Sequence, residues 1–395
     1  MATKSSAEQI REYRGPAVLS FGFRPFFLLA GLWAVVVMAL FLPLLAGQLD
    51  LPTTLSPVDW HVHELLYGYL SAVVAGFLLT AVPNWTGRLP VVGTPLLWLV
   101  VIWLAGRFAI LFSAWIGEPI AAVIDMAFLI ALGFVIAREI IAGNNMRNLK
   151  VLVVVSLLVV GNGLFHLEAM SYISGGYGKR LGIAAAVFLI MLIGGRIVPS
   201  FTRNWLVKGT QGRLPETFGK FDAVVLGVSA IGLLFWLLFP EARFTASALL
   251  LASFFNFARL ARWAGDRTFA EPLVAILHIA YAFIPIGFAL VALATYRPDI
   301  LTPTGSLHGW TAGGIGLMTL AVVTRASLGH SGRALTAEAP IVAIYAAAFT
   351  AALARIIAAF GLAQQPMLYV AAFAWIAAFS GFLVVYVPLL MRRPA

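Results

Sequence analysis

Hydrophobic positions in this chain run on without a break. Neither the two-residue alternation of a half-buried strand nor the single stripe of a surface helix recurs along it. Many of the runs approach the ~20 residues that a helix needs to cross ~30 Å of hydrocarbon. Lipid offers no partners to backbone N–H and C=O groups, so only helices and closed barrels satisfy their backbone there. The missing alternation decides for helices. The predicted spans are 25–47, 60–83, 94–113, 118–142, 149–173, 179–202, 220–240, 244–264, 271–295, 306–328, 340–361 and 367–390. Pro95, Pro119, Pro240, Pro272, Pro340 and Pro366 fall at the joins. The longest connection, residues 203–219, is too short for a folded soluble domain. The predicted fold class is an all-α polytopic membrane protein of about twelve transmembrane helices. Residues 1–24 form a cytoplasmic N-terminal segment, and 25–391 a single transmembrane helical domain.

Composition adds an orientation. Of the 395 residues 62% are hydrophobic and 11% charged, where a soluble domain keeps roughly a quarter charged. The absence of cysteine excludes disulfides, thiolate metal sites, iron–sulfur clusters and haem attached through sulfur. A net charge of +10 would suit nucleic acid. Its distribution points instead to basic loops that set topology and face anionic lipid. With the N-terminus inside, nineteen Lys and Arg fall in inside segments, beginning with Lys4, Arg11, Arg14 and Arg24. Four fall outside: Lys179, Arg180, Arg243 and Arg297. Both termini are therefore expected in the cytoplasm, which requires an even number of spans. The first apolar run is too long for a signal peptide and lacks a small-residue cleavage site, which makes it an uncleaved span.

The inner ends of the second, sixth and tenth spans read TAVPNWTGR (80–88), RIVPSFTRNW (196–205) and VVTRASLGHSGR (322–333). Each brings small or hydroxyl residues and a basic residue to the inner surface. Their spacing of four helices suggests three four-helix units.

Ionisable groups inside a span are costly and mark candidate function. His61, His63 and Glu64 begin the second span at its outer end, and His308 begins the tenth. His166 and Glu168 lie in the outer third of the fifth span and Asp125 in the outer half of the fourth. Four histidines from three helices thus share one depth. Imidazole is the common ligand of haem iron, copper and zinc, and a haem in a bundle takes axial ligands from different helices. His63 and His308 are candidates to face each other in that way, with His61 and His166 near them. His61 and His63 reach one site together only if Asp59–Trp60–His61 is still loop, because residues two apart on a helix point to different faces. Interfacial placement, a buried structural pair and an aromatic belt are the alternatives.

Arg107 and Arg355 sit at middle to outer depth in the third and eleventh spans and need anions. Glu64, Asp125, Glu168 or haem propionates would serve. Arg196, in the inner third, can snorkel to the cytoplasm. His278, three residues before Tyr281, and His330 lie near the inner face. They form either a separate metal site or helix contacts. Glu64, Tyr67, Asp125, Glu168 and Tyr281 are candidates to hydrogen-bond and orient the ligands. The glycine pairs at 194–195 and 313–314 allow close helix approach or room for a flat cofactor.

Four stretches carry a resemblance: WHVHELLYGYLSAVVAGFLLTAVPNWTGR (60–88), RIVPSFTRNWL (196–206), HIAY (278–281) and LHGWTAGGIGLMTLAVVTRASLGHSGR (307–333). With FRPFF (23–27) they resemble the NnrS family over most of the chain. The resemblance implies a bacterial inner-membrane protein containing haem and copper, linked to denitrification and to nitric oxide resistance. The positions matching the family's histidine motifs are His61, His63, His278, His308 and His330. A looser likeness to haem-copper oxidases and nitric oxide reductases implies twelve helices in three groups of four. It also implies a low-spin haem held by histidines of helices two and ten, which here are His63 and His308. The sixth and seventh spans hold no histidine, so the usual oxidase copper or non-haem iron site is absent as commonly built.

The leading expectation is a haem b protein, with copper as a second metal, that binds or processes nitric oxide or a related species. A haem-dependent oxidoreductase served by an unknown electron donor is one form of it. The alternative is a transporter of a metal, haem or metal–nitrosyl species, and a third class is a sensor or assembly factor. The polar residues favour the outer third, whereas transporters commonly place substrate near the midplane. If haem is bound, His63→Ala or His308→Ala is expected to change spin state or empty the site in the optical spectrum of purified protein. Unchanged spectra in both variants would remove these ligands.

Overall fold

A computed structural model describes residues 12–209 and 211–393. Lys4 and Arg11 of the expected cytoplasmic segment lie outside the described residues. Among the described residues twelve helices are long and apolar enough to cross a membrane, and there is no strand. In chain order they are α1 (Phe23–Leu45), α2 (Pro57–Thr86), α3 (Thr94–Leu111), α4 (Glu118–Ala142), α5 (Met146–Ala169) and α6 (Tyr177–Leu206). There follow α7 (Lys220–Leu238), α8 (Arg243–Ala261), α9 (Pro272–Tyr296), α10 (Pro303–His330), α11 (Ala339–Ala359) and α12 (Gln364–Met391). The chain is a multi-pass membrane protein whose exposed apolar faces require a lipid bilayer. Each helix matches a predicted span, with ends shifted by up to four residues.

The shifts have local causes. Prolines occupy the first turn of α2, α3, α4, α9, α10 and α11, where a missing N–H costs nothing and φ is already helical. The Ser56 hydroxyl accepts from the Asp59 N–H and the Thr302 hydroxyl from the Gly305 N–H. These N-caps start α2 and α10 three residues earlier than hydropathy alone implies. Further along, each of these two helices carries a π-helical segment, Glu64–Tyr69 in α2 and Gly309–Leu317 in α10. Both segments begin directly after a histidine, His63 or His308.

The described chain falls into two compact units, where the repeating inner ends suggested three. Similar loop chemistry at membrane surfaces reports the surface, not the packing. The first unit holds residues up to Gly182, together with Ala326–Arg333 and the chain from Phe382. There α3 and α4 form a hairpin across a short connection, α4 packs on α5, and α2 lies against α1 and α4. The second unit holds Ile183–Arg325 and Ala334–Gly381. It places α8 between α7 and α9, and the π-helical part of α10 against α9 and α11.

Buried faces are uneven among the helices: 83% of the apolar window of α2 is buried against 28% for α1, which makes α2 the natural carrier of polar groups. Arg24, counted above as a cytoplasmic charge, is also buried. Its Nη1 donates to the carbonyls of Leu390 and Arg392 at 3.1 and 2.5 Å, satisfying the C-terminal end of α12.

Close packing in the first unit depends on glycines. A Cβ on Gly178 would overlap the backbone of Phe165, whereas one on Gly227 in α7 would meet nothing within 4 Å. Gly178→Ala is therefore expected to destabilise the protein by about 1–3 kcal/mol, the usual range for overpacking. Gly227→Ala should leave thermal unfolding in detergent unchanged or slightly raised.

Candidate metal centre

Ser56 and Pro57 start α2 early enough that Asp59, Trp60 and His61 are already helical. The loop that would have let His61 and His63 share a site is not there. His61 turns to Phe41, stacking with ring centroids 3.9 Å apart. His63 turns inward and is wholly buried, as is Glu64.

The π-helical turns that follow open the helix at this point. The Gly68 carbonyl is taken by side chains, Trp103 Nε1 at 3.1 Å and Ser71 Oγ at 2.8 Å. A Cβ on Gly68 would lie 2.6 Å from Arg107 Nη1, so only glycine lets the guanidinium from α3 reach α2. Arg107 Nη1 donates to Glu64 at 2.7 Å, and Nη2 donates to Asp125 Oδ1. Trp33 Nε1 also donates to Glu64, at 2.7 Å.

Asp125 of α4 joins this pair to two imidazoles. Its Oδ2 accepts from Asn162 Nδ2 at 2.7 Å, and lies 3.0 Å from His166 Nε2 and 3.2 Å from His63 Nε2. Asn162 and His166 are four residues apart on α5 and so share a face. One ligand atom from each of His63, Asp125 and His166 lies within 4.8 Å of the others.

The arrangement calls for a cation. His63 Nδ1 is 3.0 Å from Glu64 Oε1, while Nε2 is 3.2 Å from Asn162 Oδ1. A neutral imidazole has one N–H. With Nδ1–H donated to Glu64, the Nε2 lone pair faces two oxygens unless a proton or a metal ion stands between. The fixed charges agree: two carboxylates, Glu64 and Asp125, meet one guanidinium, Arg107. Two imidazole nitrogens and a carboxylate oxygen form a donor set that suits first-row metals, and a carboxylate behind His63 is the usual way to fix the coordinating nitrogen. The residues therefore fit a metal ion. An axial bond from His63 to haem would require Asn162 and Asp125 to move away from Nε2.

The other expected residues make contacts of their own. Tyr67 donates to the Gly178 carbonyl at 2.7 Å with its ring 5.5 Å from that of His63. Glu168 caps α6, accepting from the Tyr177 and Gly178 N–H groups at 2.5 and 3.0 Å, and it does not pair with Arg107. His330 packs edge-on to Phe21 and tilted against Phe23 in the first unit, both at 5.6 Å between ring centres. His308 and Arg355 belong to the second unit, as do His278 and Tyr281. His308 Nδ1 lies 3.2 Å from the Gly305 carbonyl. His278 Nε2 is 2.7 Å from Thr202 Oγ1, and Tyr281 belongs to a cluster around Arg259.

Asn162 and Trp33 were not expected. Asn162 had a usable signal, one turn ahead of His166 on the same face; Trp33 had none. Outside the membrane, the hydrogen bond from Arg297 holds the exposed Asp299 carboxyl below its ordinary value, an effect that solvent screening keeps small.

The family model described as NnrS protein matches residues 17–393. No curated protein matches the chain.

Removing one partner of a buried charge pair leaves the other uncompensated. Asp125→Ala should therefore cost about 3–5 kcal/mol, read by thermal or denaturant unfolding in detergent. Replacing Glu64, Arg107 and Asp125 together by Gln, Met and Asn should recover most of that loss.

Proposed function

Since the chain belongs to the NnrS family, we propose that it is a metal-dependent membrane protein of the nitric oxide response. In this reading the metal is held by His63, Asp125 and His166. The observation that carries it is the encirclement of His63, whose two nitrogens both face oxygen acceptors inside a buried, net-negative cluster. Copper is the metal implied by the sequence resemblance, and imidazole-rich sites suit it. A redox metal held there would supply a Lewis-acidic centre able to bind nitric oxide or a related small molecule.

The chain's own residues do the rest. Glu64 fixes the tautomer of His63 and is itself fixed by Arg107 and Trp33. Asn162 steers Asp125 Oδ2 toward the two imidazoles, and Arg107 holds Asp125 Oδ1 from the other side. The surrounding apolar helices keep bulk water from the cluster. This reading places the protein in a bacterial inner membrane, with 25–391 as one membrane domain, both termini cytoplasmic and an unknown electron donor. Haem b is a second reading, favoured by the His308 Nδ1 contact with the Gly305 carbonyl. In it Arg355 is a candidate for a propionate, and His61, His278 and His330 stay candidates for further metal.

Metal analysis of purified protein separates these readings. Near-stoichiometric copper or iron is expected in the parent. His63→Ala with His166→Ala should lose it, and Glu64→Gln should weaken it by about 10–100-fold. Consumption of nitric oxide by membrane vesicles should fall in step with metal content. Equal metal in the parent and the double variant would sink the assignment. A Soret band that disappears in His308→Ala alone would move the cofactor to the second reading, and uptake into proteoliposomes would favour transport.

A further inference from the structure

The second unit holds another buried guanidinium, and one edge of it has nothing to bind. Arg259, two residues before the end of α8, is fully buried. Its Nε donates to Asp222 Oδ1 of α7 at 2.8 Å. Its Nη1 donates to the Met191 carbonyl of α6 and to the Tyr281 hydroxyl of α9, both at 3.0 Å. Tyr281 passes its own proton to Asn256 Oδ1 at 2.9 Å, and Asn256 Nδ2 donates to Ser229 Oγ at 2.9 Å. Asp222 Oδ2 accepts from the Gly219 N–H at 3.0 Å. Every partner is thus committed, and the guanidinium is held in one orientation.

Nη2 is buried and has no acceptor among the described residues. Two charged N–H donors left in this state cost more than a neutral orphan, for which about 1–3 kcal/mol is typical. In Arg107 both terminal nitrogens are taken and only Nε lacks a partner.

The helix facing Nη2 is shaped for it. A Cβ on Gly195 of α6 would overlap Nη2, and one on Gly194 would find no atom closer than the Tyr281 ring at 3.6 Å. Gly195 therefore seats the guanidinium itself, because the space a side chain would fill there is taken by Nη2. Arg259 and Asp222 lie at the ends of their helices, where Arg203, Lys208 and Lys220 are exposed. Such a basic rim raises the local concentration of anions.

We propose that Arg259 Nη2, seated over Gly195 and left without an acceptor, binds a small monovalent inorganic anion. Asp222 balances the guanidinium, which disfavours multiply charged ligands. The site lies within the second unit and stands apart from the metal reading.

Thermal unfolding in detergent tests it, with sodium nitrate exchanged for sodium gluconate at constant ionic strength. The parent should show a saturable rise in Tm with nitrate. Gly195→Ala, whose Cβ pushes the guanidinium off its seat while keeping every charge, should show an apparent affinity at least about tenfold weaker, the loss expected for a charge-assisted hydrogen bond. Arg259→Gln with Asp222→Asn, which removes the pair without orphaning a charge, should show no saturable rise. A parent that unfolds at the same temperature in nitrate and gluconate would overturn the proposal. So would an equal response in all three proteins.

Discussion

Arg107 meets Glu64 and Asp125 where no water can screen them, and the polar chemistry of the first unit is arranged around that meeting. In a low-dielectric interior an unpaired guanidinium or carboxylate is prohibitive, while a fully hydrogen-bonded group is tolerated. Glu64 is held by Arg107 and Trp33, and Asp125 by Arg107, Asn162 and His166. That leaves little freedom at His63, whose nitrogens are enclosed by oxygens of both carboxylates and of Asn162. The ion pair thus does more than neutralise charge. It positions acceptors around an imidazole that can satisfy them only by holding a cation.

Each unit solves the problem of a buried arginine with the same parts. Gly68 in α2 makes way for Arg107, which pairs with Asp125; Gly195 in α6 makes way for Arg259, which pairs with Asp222. In both, a glycine on a well-buried helix admits a guanidinium from a neighbouring hairpin, and an aspartate on the other arm of the hairpin receives it. The units differ in what is left over. The first leaves an excess of carboxylate beside two imidazoles, which suits a metal ion. The second leaves an unused pair of N–H donors.

Departures from regular helix accompany the chemistry. Glu64–Tyr69 and Gly309–Leu317 are π-helical, and each follows a histidine within a helix capped by a hydroxyl residue and proline. A π-helical turn frees carbonyls and redirects side chains, and such turns recur at functional sites. At Gly68 the carbonyl accepts from the side chains of Trp103 and Ser71.

Hydropathy alone determined twelve membrane helices and most of their limits, because an unbroken apolar run of sufficient length has one stable state in lipid. It also singled out Arg107, Asp125, Glu64, His63 and His166, since ionisable groups inside a span must find one another. Which of them meet was a tertiary matter. Glu168 seemed an equal candidate for Arg107, yet its position two residues into the end of α5 commits it to the N–H groups of α6. Arg24 read as a cytoplasmic charge, but helix packing buried it. His61 and His63 looked like one motif until the cap at Ser56 extended the helix beneath them and sent the rings to different faces. Periodicity and length are properties of a segment and can be read from it. Pairing depends on how far helices slide and rotate against their neighbours, and that is set by glycines, caps and π-turns whose effect appears only when the partners are in place.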